Sequence, residues 1–295
     1  MKRWLWLPPL IVAGVLSAFP RILARVFAPP QRTSEQSPTD LGLPEQQVWL
    51  QSVNGTRLHG WFIPVEGTAP AVVVLHGWGG NAALMLPLAP HLHRAGYHAL
   101  FLDARNHGFS EHDRFMSMPR FAEDLDVAAE WLDARPDVTS VGVIGHSVGA
   151  GAAILSASRS DRLAAVVSVS SFSHPGEMMR EQMSRIPAPL LDLLLSYIQR
   201  LIGYRFDDFA PRHRILSVKA PLMLVHGDSD EVVPIQSLED LSAARPDAEV
   251  VIVEGGGHSD LGPFDPYVPQ ITDFLNRHLA VAVTTPPSAG RSTRS

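Results

Sequence analysis

Short apolar runs alternate with amphipathic segments along most of the chain, and this alternation restricts the possible folds more than any other feature. The apolar runs are rich in β-branched residues and predict buried strands, whereas the segments between them have helical periodicity. Strands that alternate with helices form a mostly parallel sheet with helices on both faces, so we expect an α/β fold. The predicted strands are 48–53, 57–63, 71–75, 99–103, 141–144, 164–169, 221–225 and 249–253.

Three local patterns refine this prediction. Asn54-Gly55 stands between the first two strands and is typical of a β-hairpin turn. Residues 81–95 fit a helix, although Pro87 and Pro90 would break or kink it. Residues 173–216 interrupt the alternation with an apolar helical stretch, which we interpret as a small helical lid inserted between two strands.

The N-terminus has the composition of a targeting or anchoring segment. Lys2 and Arg3 precede an apolar run that closes at Pro20 and Arg21. We expect residues 1–28 to be a hydrophobic membrane anchor, a single transmembrane helix that ties the protein to a membrane. The alternatives are a signal segment cleaved on export and a helix lying at the membrane interface.

The rest of the chain divides by composition. Residues 29–44 are rich in Pro, Ser, Thr and Gln, which predicts a linker, and 283–295 resemble a disordered tail. Between them, 45–282 form one predicted domain. Residues 41–280 hold 17 basic and 28 acidic side chains, a net charge of −11, which argues against nucleic acid as a partner.

The chain contains no cysteine. This excludes disulfides, cysteine zinc sites, iron–sulfur clusters and a cysteine nucleophile. A chain of 295 residues, of which 45% are apolar, buries enough surface to fold without disulfides or structural metal sites. We expect neither a cofactor nor a metal.

A serine occupies the most specific motif of the chain. Residues 145–149, Gly-His-Ser-Val-Gly, follow the predicted strand 141–144 and open a helix of small residues. This is the context of a nucleophile elbow, in which a tight strand-to-helix turn projects the hydroxyl. The glycines permit the strained backbone and close packing. Ser147 is the candidate nucleophile; the alternative is a glycine-rich turn with an incidental serine.

A serine hydroxyl needs a base, and the base needs an acid to orient it. His258 lies in a glycine-flanked loop after the last predicted strand and is the candidate base. With 13 histidines in the chain, a surface-loop histidine is the alternative. Asp230 and Asp228 both follow the predicted strand 221–225 and are the candidate acids.

A tetrahedral intermediate needs two backbone donors for its oxyanion. The N–H of Val148, at the helix start, is one candidate. The other is the N–H of Trp78, in the glycine-rich loop 76–80 that follows the strand 71–75. All these loops follow the carboxyl ends of predicted strands, where open α/β sheets bind ligands.

Over residues 48–280 the chain resembles the α/β-hydrolase superfamily. It is most similar to the small serine-hydrolase branch that contains esterases, Bem46-like proteins and serine aminopeptidase-like hydrolases. The resemblance implies an α/β-hydrolase fold and assigns the triad acid to Asp230. The matching stretches are residues 76–79 (His-Gly-Trp-Gly), 103–110 (Asp-Ala-Arg-Asn-His-Gly-Phe-Ser), 145–149, 226–230 (His-Gly-Asp-Ser-Asp) and 257–258 (Gly-His).

From these motifs we expect a serine hydrolase that cleaves a carboxylic ester of a small-molecule acyl substrate through an acyl-enzyme intermediate. Small peptides or amides are the alternative substrates, and a non-catalytic binding protein with this fold is a further alternative. Asp103 and Arg105 are expected to form a buried structural pair in the pocket wall. An apolar lid is expected, with core packing as the alternative, from Phe172, Met178, Met179, Met183 and residues 190–195.

Overall fold

One eight-stranded sheet runs through the part of the chain that the computed structural model describes, residues 28–259 and 262–279. Its strand order is β1-β2-β4-β3-β5-β6-β7-β8. The pairs β1·β2 and β2·β4 are antiparallel, and the other neighbours are parallel. The strands are β1 (Gln46–Gln51), β2 (Arg57–Ile63), β3 (Ala69–Leu75), β4 (His98–Leu102), β5 (Val138–His146), β6 (Leu163–Val169), β7 (Leu222–Gly227) and β8 (Glu249–Val253).

Helices cover both faces of this sheet. The α-helices are α1 (Ala89–Arg94), α2 (Met118–Asp133), α3 (Val148–Ala157), α4 (Pro175–Gln182), α5 (Ala188–Ile202), α6 (Phe206–Phe209), α7 (Pro211–Arg214), α8 (Gln236–Ala244) and α9 (Val268–His278). Short 3-10 helices span Pro38–Leu41, Val53–Gly55, Ala82–Leu88, Ile215–Ser217 and Asp265–Tyr267. The predicted α/β architecture, a mostly parallel sheet between helices, is confirmed.

The central strand β3 connects two hydrophobic cores. All its residues are buried. Ala71, Val73 and Leu75 belong to the core that contains α2 and α3, whereas Val72 and Val74 belong to the core that contains α1 and α9. Because side chains alternate across a strand, a parallel strand covered on both faces must be apolar throughout. This explains the unbroken apolar run in the sequence.

The predicted hairpin is confirmed. β1 and β2 pair in antiparallel register, with Gln51 opposite Arg57. Asn54 has φ 61° and Gly55 has φ 77°. Both residues therefore occupy the left-handed region that a tight hairpin turn requires, which asparagine and glycine tolerate best.

The helix predicted over 81–95 is divided in two. The first part is the 3-10 helix Ala82–Leu88, which contains Pro87, and the second is α1, which carries Pro90 in its first turn. Proline has no N–H for an interior helical hydrogen bond but is tolerated in a first turn. The division therefore lets both prolines remain without breaking a regular α-helix.

Four helices, α4 to α7, lie between β6 and β7, and we call residues 175–214 the cap. The apolar stretch 190–195 divides between two environments. Leu191 and Leu195 are buried in the core, whereas Leu190 is 57% exposed and Leu193 is 67% exposed. That the cap acts as a lid stays a prediction.

The segment predicted as a linker, 29–44, lies against the domain. The Gln31 side-chain amide donates to the carbonyl oxygens of Gly108 (2.9 Å) and Ser110 (3.1 Å). The Asn81 side chain donates to the Arg32 carbonyl oxygen at 2.8 Å. These bonds place residues 31 and 32 beside the loops that follow β3 and β4.

The expected membrane anchor is corrected. None of the helices found within residues 28–259 and 262–279 has both the length and the apolar character that a membrane span requires. The longest of these helices, α2, has 16 residues, which at about 1.5 Å per residue is shorter than a hydrocarbon core of roughly 30 Å. The predicted anchor or cleaved signal covers residues 1–28, of which 1–27 lie outside the described residues, as does the predicted tail 283–295. The assignment to a membrane is withdrawn.

Asp103 and Arg105 are both buried, but they belong to separate networks. The Arg105 guanidinium pairs with Asp124 (Nη2 to Oδ1, 2.6 Å) and with Asp113 (Nη1 to Oδ2, 3.1 Å). Asp103 instead hydrogen-bonds the His59 ring at 2.7 Å. The expected structural pair therefore does not form, since each residue has a partner from a different element.

Removing the Asp124 carboxylate should destabilise the fold strongly, because it leaves the buried Arg105 charge without its main partner. We expect Asp124→Ala to lower the free energy of unfolding by roughly 3–5 kcal/mol. Urea denaturation measures it as a lower midpoint at an unchanged slope.

Asp161→Ala is the matched control. Asp161 pairs with Lys219, but its side chain is 68% exposed, so its loss should change the free energy of unfolding by less than about 0.5 kcal/mol. Similar losses in the two variants would contradict a stabilising role for the buried network.

Candidate active site

Ser147 occupies a strained turn between β5 and α3. Its φ is 55° and its ψ is −117°, a backbone conformation that L-residues rarely adopt. The turn requires its flanking glycines. A Cβ on Gly145 would lie 2.4 Å from the Gly149 carbonyl oxygen, and a Cβ on Gly149 would lie 2.5 Å from the His76 carbonyl oxygen. Any larger residue would push α3 away from the strands and move the serine.

The three residues of the predicted triad form a continuous hydrogen-bond chain. His258 Nε2 lies 3.0 Å from Ser147 Oγ, and His258 Nδ1 lies 2.8 Å from Asp230 Oδ2. Because an ionised carboxylate only accepts hydrogen bonds, Nδ1 carries the proton and Nε2 is free to accept from the serine hydroxyl. Asp228, the other candidate acid, instead accepts from the Gly255 backbone N–H at 2.8 Å.

Asp230 is held ionised by its hydrogen bonds. Burial opposes ionisation of the carboxyl, but the bond from His258 and the backbone amides of Val233 and Val232 outweigh it and lower the pKa. Those two amides donate to Oδ1 at 2.8 and 2.9 Å. One carboxylate oxygen is thus anchored to the backbone, which leaves the other to orient the imidazole.

The two predicted oxyanion donors border the same space as Ser147. Trp78 and Val148 line a cavity together with Ser147 and His258. Neither the Trp78 nor the Val148 backbone N–H donates a hydrogen bond to the residues that the structure describes. A Cβ on Gly77 would lie 2.9 Å from the Ser147 Cβ, so the loop after β3 touches the serine directly. Two free amides beside a hydroxyl suit a developing oxyanion.

Three histidines support this geometry, and sequence reasoning missed all of them. His107 Nε2 accepts from the Gly79 N–H at 3.0 Å, and His76 Nε2 accepts from the Ala104 N–H at 3.1 Å. Both rings therefore hold the loop that carries Trp78. His146 Nε2 lies 2.7 Å from the His258 carbonyl oxygen, so it donates there and fixes the loop of the candidate base.

The sequence contained only a weak signal for these roles. His76 and His107 lie within the stretches 76–79 and 103–110 that carry the family resemblance, and His146 precedes the candidate nucleophile. In each case the hydrogen-bond partner is a backbone group on another loop. Side-chain identity alone cannot indicate such a partner.

Two depressions meet at Ser147. The first is a cavity of about 510 Å³ beneath the cap, which we call the apolar cavity. Four predicted lid residues, Phe172, Met178, Met179 and Met183, line it. Residues 190–195 do not; from α5 the lining comes from Ile198 and Ile202. The second is a cleft of about 520 Å³ on the side of the loop after β3.

The chain belongs to the alpha/beta hydrolase fold family, whose sequence profile matches residues 70–206 and 191–263. It is 33% identical over 221 residues to an uncharacterized protein of Mycobacterium tuberculosis, covering 73% of each chain. It is 27% identical over 277 residues to the alpha/beta hydrolase domain-containing protein WAV2 of Arabidopsis thaliana, covering 85% of each. The predicted family and fold class are confirmed.

Solved structures show the same fold. The esterase Pf2001 of Pyrococcus furiosus superposes with a TM-score of 0.69 at 24% identity, covering 85% of this chain and 97% of the esterase. At that identity the likeness concerns the fold. Together, family and neighbours support a hydrolase.

The supporting histidines make a testable pH prediction. Burial, reinforced by a neighbouring histidine, lowers the pKa of His107 to about 3 and that of His146 to about 4. Both rings should therefore stay neutral in the folded protein at pH 5. In an NMR titration, their Cε1 shifts should not move between pH 7.5 and 5, with His107→Gln and His146→Gln giving the assignments.

The lowered pKa values of His107 and His146 also make the free energy of unfolding depend on pH. The unfolded chain takes up these two protons near pH 6.5, whereas the folded chain does so only near pH 3 and 4. Their contribution to the free energy of unfolding is thus present above pH 6.5 and falls as the pH drops toward 4. Titration midpoints near 6.5 in the folded protein would contradict the buried, neutral rings.

Proposed function

We propose that this protein is a serine hydrolase that cleaves carboxylic esters through an acyl-enzyme intermediate. The observation that carries the proposal is the hydrogen-bond chain from Asp230 through His258 to Ser147, which ends where two ligand-sized depressions meet. The chain's membership of the alpha/beta hydrolase fold family supports the hydrolytic class.

In this mechanism, Ser147 Oγ attacks the acyl carbonyl carbon while His258 Nε2 takes the hydroxyl proton. Asp230 orients the imidazole and stabilises its charged form. The backbone N–H groups of Trp78 and Val148 stabilise the oxyanion of the tetrahedral intermediate. His258 then gives its proton to the leaving alcohol, and a water molecule activated by the same imidazole releases the acyl group.

The apolar cavity favours an uncharged acyl group. Among the described residues that line it, the polar side chains are those of Ser147, Gln182 and His258, together with the indole N–H of Trp78. None of the lining residues is an acid. A peptide with a free α-ammonium group would need a carboxylate partner there, since an unpaired charge is costly to bury. The small-peptide alternative therefore has no support from the cavity. We assign the acyl half of the ester to the apolar cavity.

A fluorophosphonate probe tests the proposed nucleophile. The probe should label the wild-type protein and should not label Ser147→Ala, because only an activated serine hydroxyl attacks phosphorus. The matched control is Ser171→Ala, which removes a nearby buried hydroxyl bound to the Phe172 carbonyl oxygen. That variant should be labelled like the wild type. Equal labelling of the wild type and Ser147→Ala, read by intact-protein mass spectrometry, would refute the assignment.

A series of 4-nitrophenyl esters tests the acyl assignment. We expect kcat/KM to rise about fourfold for each added methylene until the apolar cavity is full. Met179→Trp should move the best chain length to shorter esters, because the indole occupies cavity volume. Leu193→Trp, on the exposed face of α5, should leave the optimum unchanged. A flat chain-length profile in the wild type would contradict this role of the cavity.

A further inference from the structure

The second depression at Ser147 has a wall that does not come from the sheet or its helices. It shares Trp78, Ser147 and His258 with the apolar cavity, but the rest of its lining is different and includes residues of the loop after β3. Arg32 and Gln36, from the segment before β1, complete its lining. We call it the alcohol cleft, because it is a second space beside Ser147 and has room for the alcohol of an ester whose acyl chain fills the apolar cavity.

The segment that carries Arg32 is fixed on both sides. Gln31 donates to the Gly108 and Ser110 carbonyl oxygens, and the Arg32 carbonyl oxygen accepts from Asn81. Close packing adds to this, because a Cβ on Gly79 would lie 3.2 Å from the Pro30 ring. The Arg32 backbone is therefore held against the loop that carries the Trp78 amide.

The charge of the alcohol cleft is opposite to that of the domain. Among its described lining residues, Arg32 is the one permanently charged side chain, and none is an acid. Arg32 forms no ion pair with a carboxylate in residues 28–259 or 262–279. Burial lowers the pKa of His76, so that ring adds no positive charge at neutral pH. A guanidinium that has no carboxylate partner among the described residues attracts an anion in such a cleft.

We propose that the alcohol half of the substrate carries an anionic group, a carboxylate or a phosphate, which Arg32 binds in the alcohol cleft. This inference rests on the proposed function, because it assigns the leaving group of the same reaction. The two halves of the ester are thus separated by polarity: the uncharged acyl chain lies under the cap, and the charged alcohol lies beside the segment 30–36. Arg32 is a specificity-determining residue and takes no part in the proton transfers.

Three esters of one acyl chain test the proposal on the full-length protein. Their leaving groups are 4-hydroxybenzoate, 4-hydroxyphenyl phosphate and the neutral methyl 4-hydroxybenzoate. The wild type should have a lower KM for one or both anionic esters than for the neutral ester, and the comparison of the two anions identifies carboxylate or phosphate. Arg32→Gln should raise the KM for the preferred anionic ester about fivefold, with kcat and the neutral ester little changed.

Two further variants sharpen the test. Arg32→Glu should reverse the preference, so that the neutral ester has the lower KM. Arg94→Gln removes the same charge from an exposed position on α1 that lines neither depression, and it should keep the wild-type preference. The preference should also weaken with added salt, as expected for a partly exposed ion pair.

The outcomes separate this inference from the proposed function. If the wild type hydrolyses all three esters with equal KM, or if Arg32→Gln keeps the wild-type preference, the anionic alcohol is overturned. Fluorophosphonate labelling of Ser147 and turnover of the neutral ester would then still support a serine esterase. If the probe does not label Ser147, both proposals fail together.

Discussion

The backbone strain at Ser147 is the constraint on which the rest of the site depends. A serine with positive φ between β5 and α3 is possible only because the chain around it packs at backbone distance, with glycine at 145 and 149. The same close approach brings the loop after β3 against the serine. One tight turn therefore sets the positions of the hydroxyl and of both candidate oxyanion amides. The hydrogen bonds of His258 and Asp230 then add the candidate base and acid to the hydroxyl that the turn positions.

Much of the fold and the site could be predicted because their signals are local. The apolar run of β3, the Asn54-Gly55 turn and the glycine-flanked serine each follow from short-range sterics or from burial on both faces of a sheet. Family resemblance supplied the choice of Asp230 over Asp228. The structure adds the reason: Asp230 is anchored by two backbone amides beside the His258 ring, whereas Asp228 bonds the amide of Gly255.

What could not be predicted depends on partners distant in the sequence. The hydrogen bonds of His107 and His146 go to backbone groups on other loops, and nothing in an imidazole indicates which loop lies nearby. Arg105 pairs with Asp124, which is 19 residues away and lies on α2, whereas Asp103 hydrogen-bonds His59 on β2. The apolar stretch 190–195 likewise could not show that Leu191 enters the core while Leu193 stays exposed. Such pairings are decided by three-dimensional packing.

The position of the segment 30–36 matters when a shortened form of this protein is designed. The segment precedes the first strand and contributes nothing to the sheet. A shortened chain that begins at residue 45 would lose the 3-10 helix Pro38–Leu41 but keep each of the described strands and α-helices and the candidate catalytic residues. It would nevertheless lose one wall of the space beside the nucleophile. Trimming a chain to its regular secondary structure is a common step toward crystals. Here it would keep Ser147 and remove Arg32 and Gln36 from the space beside it.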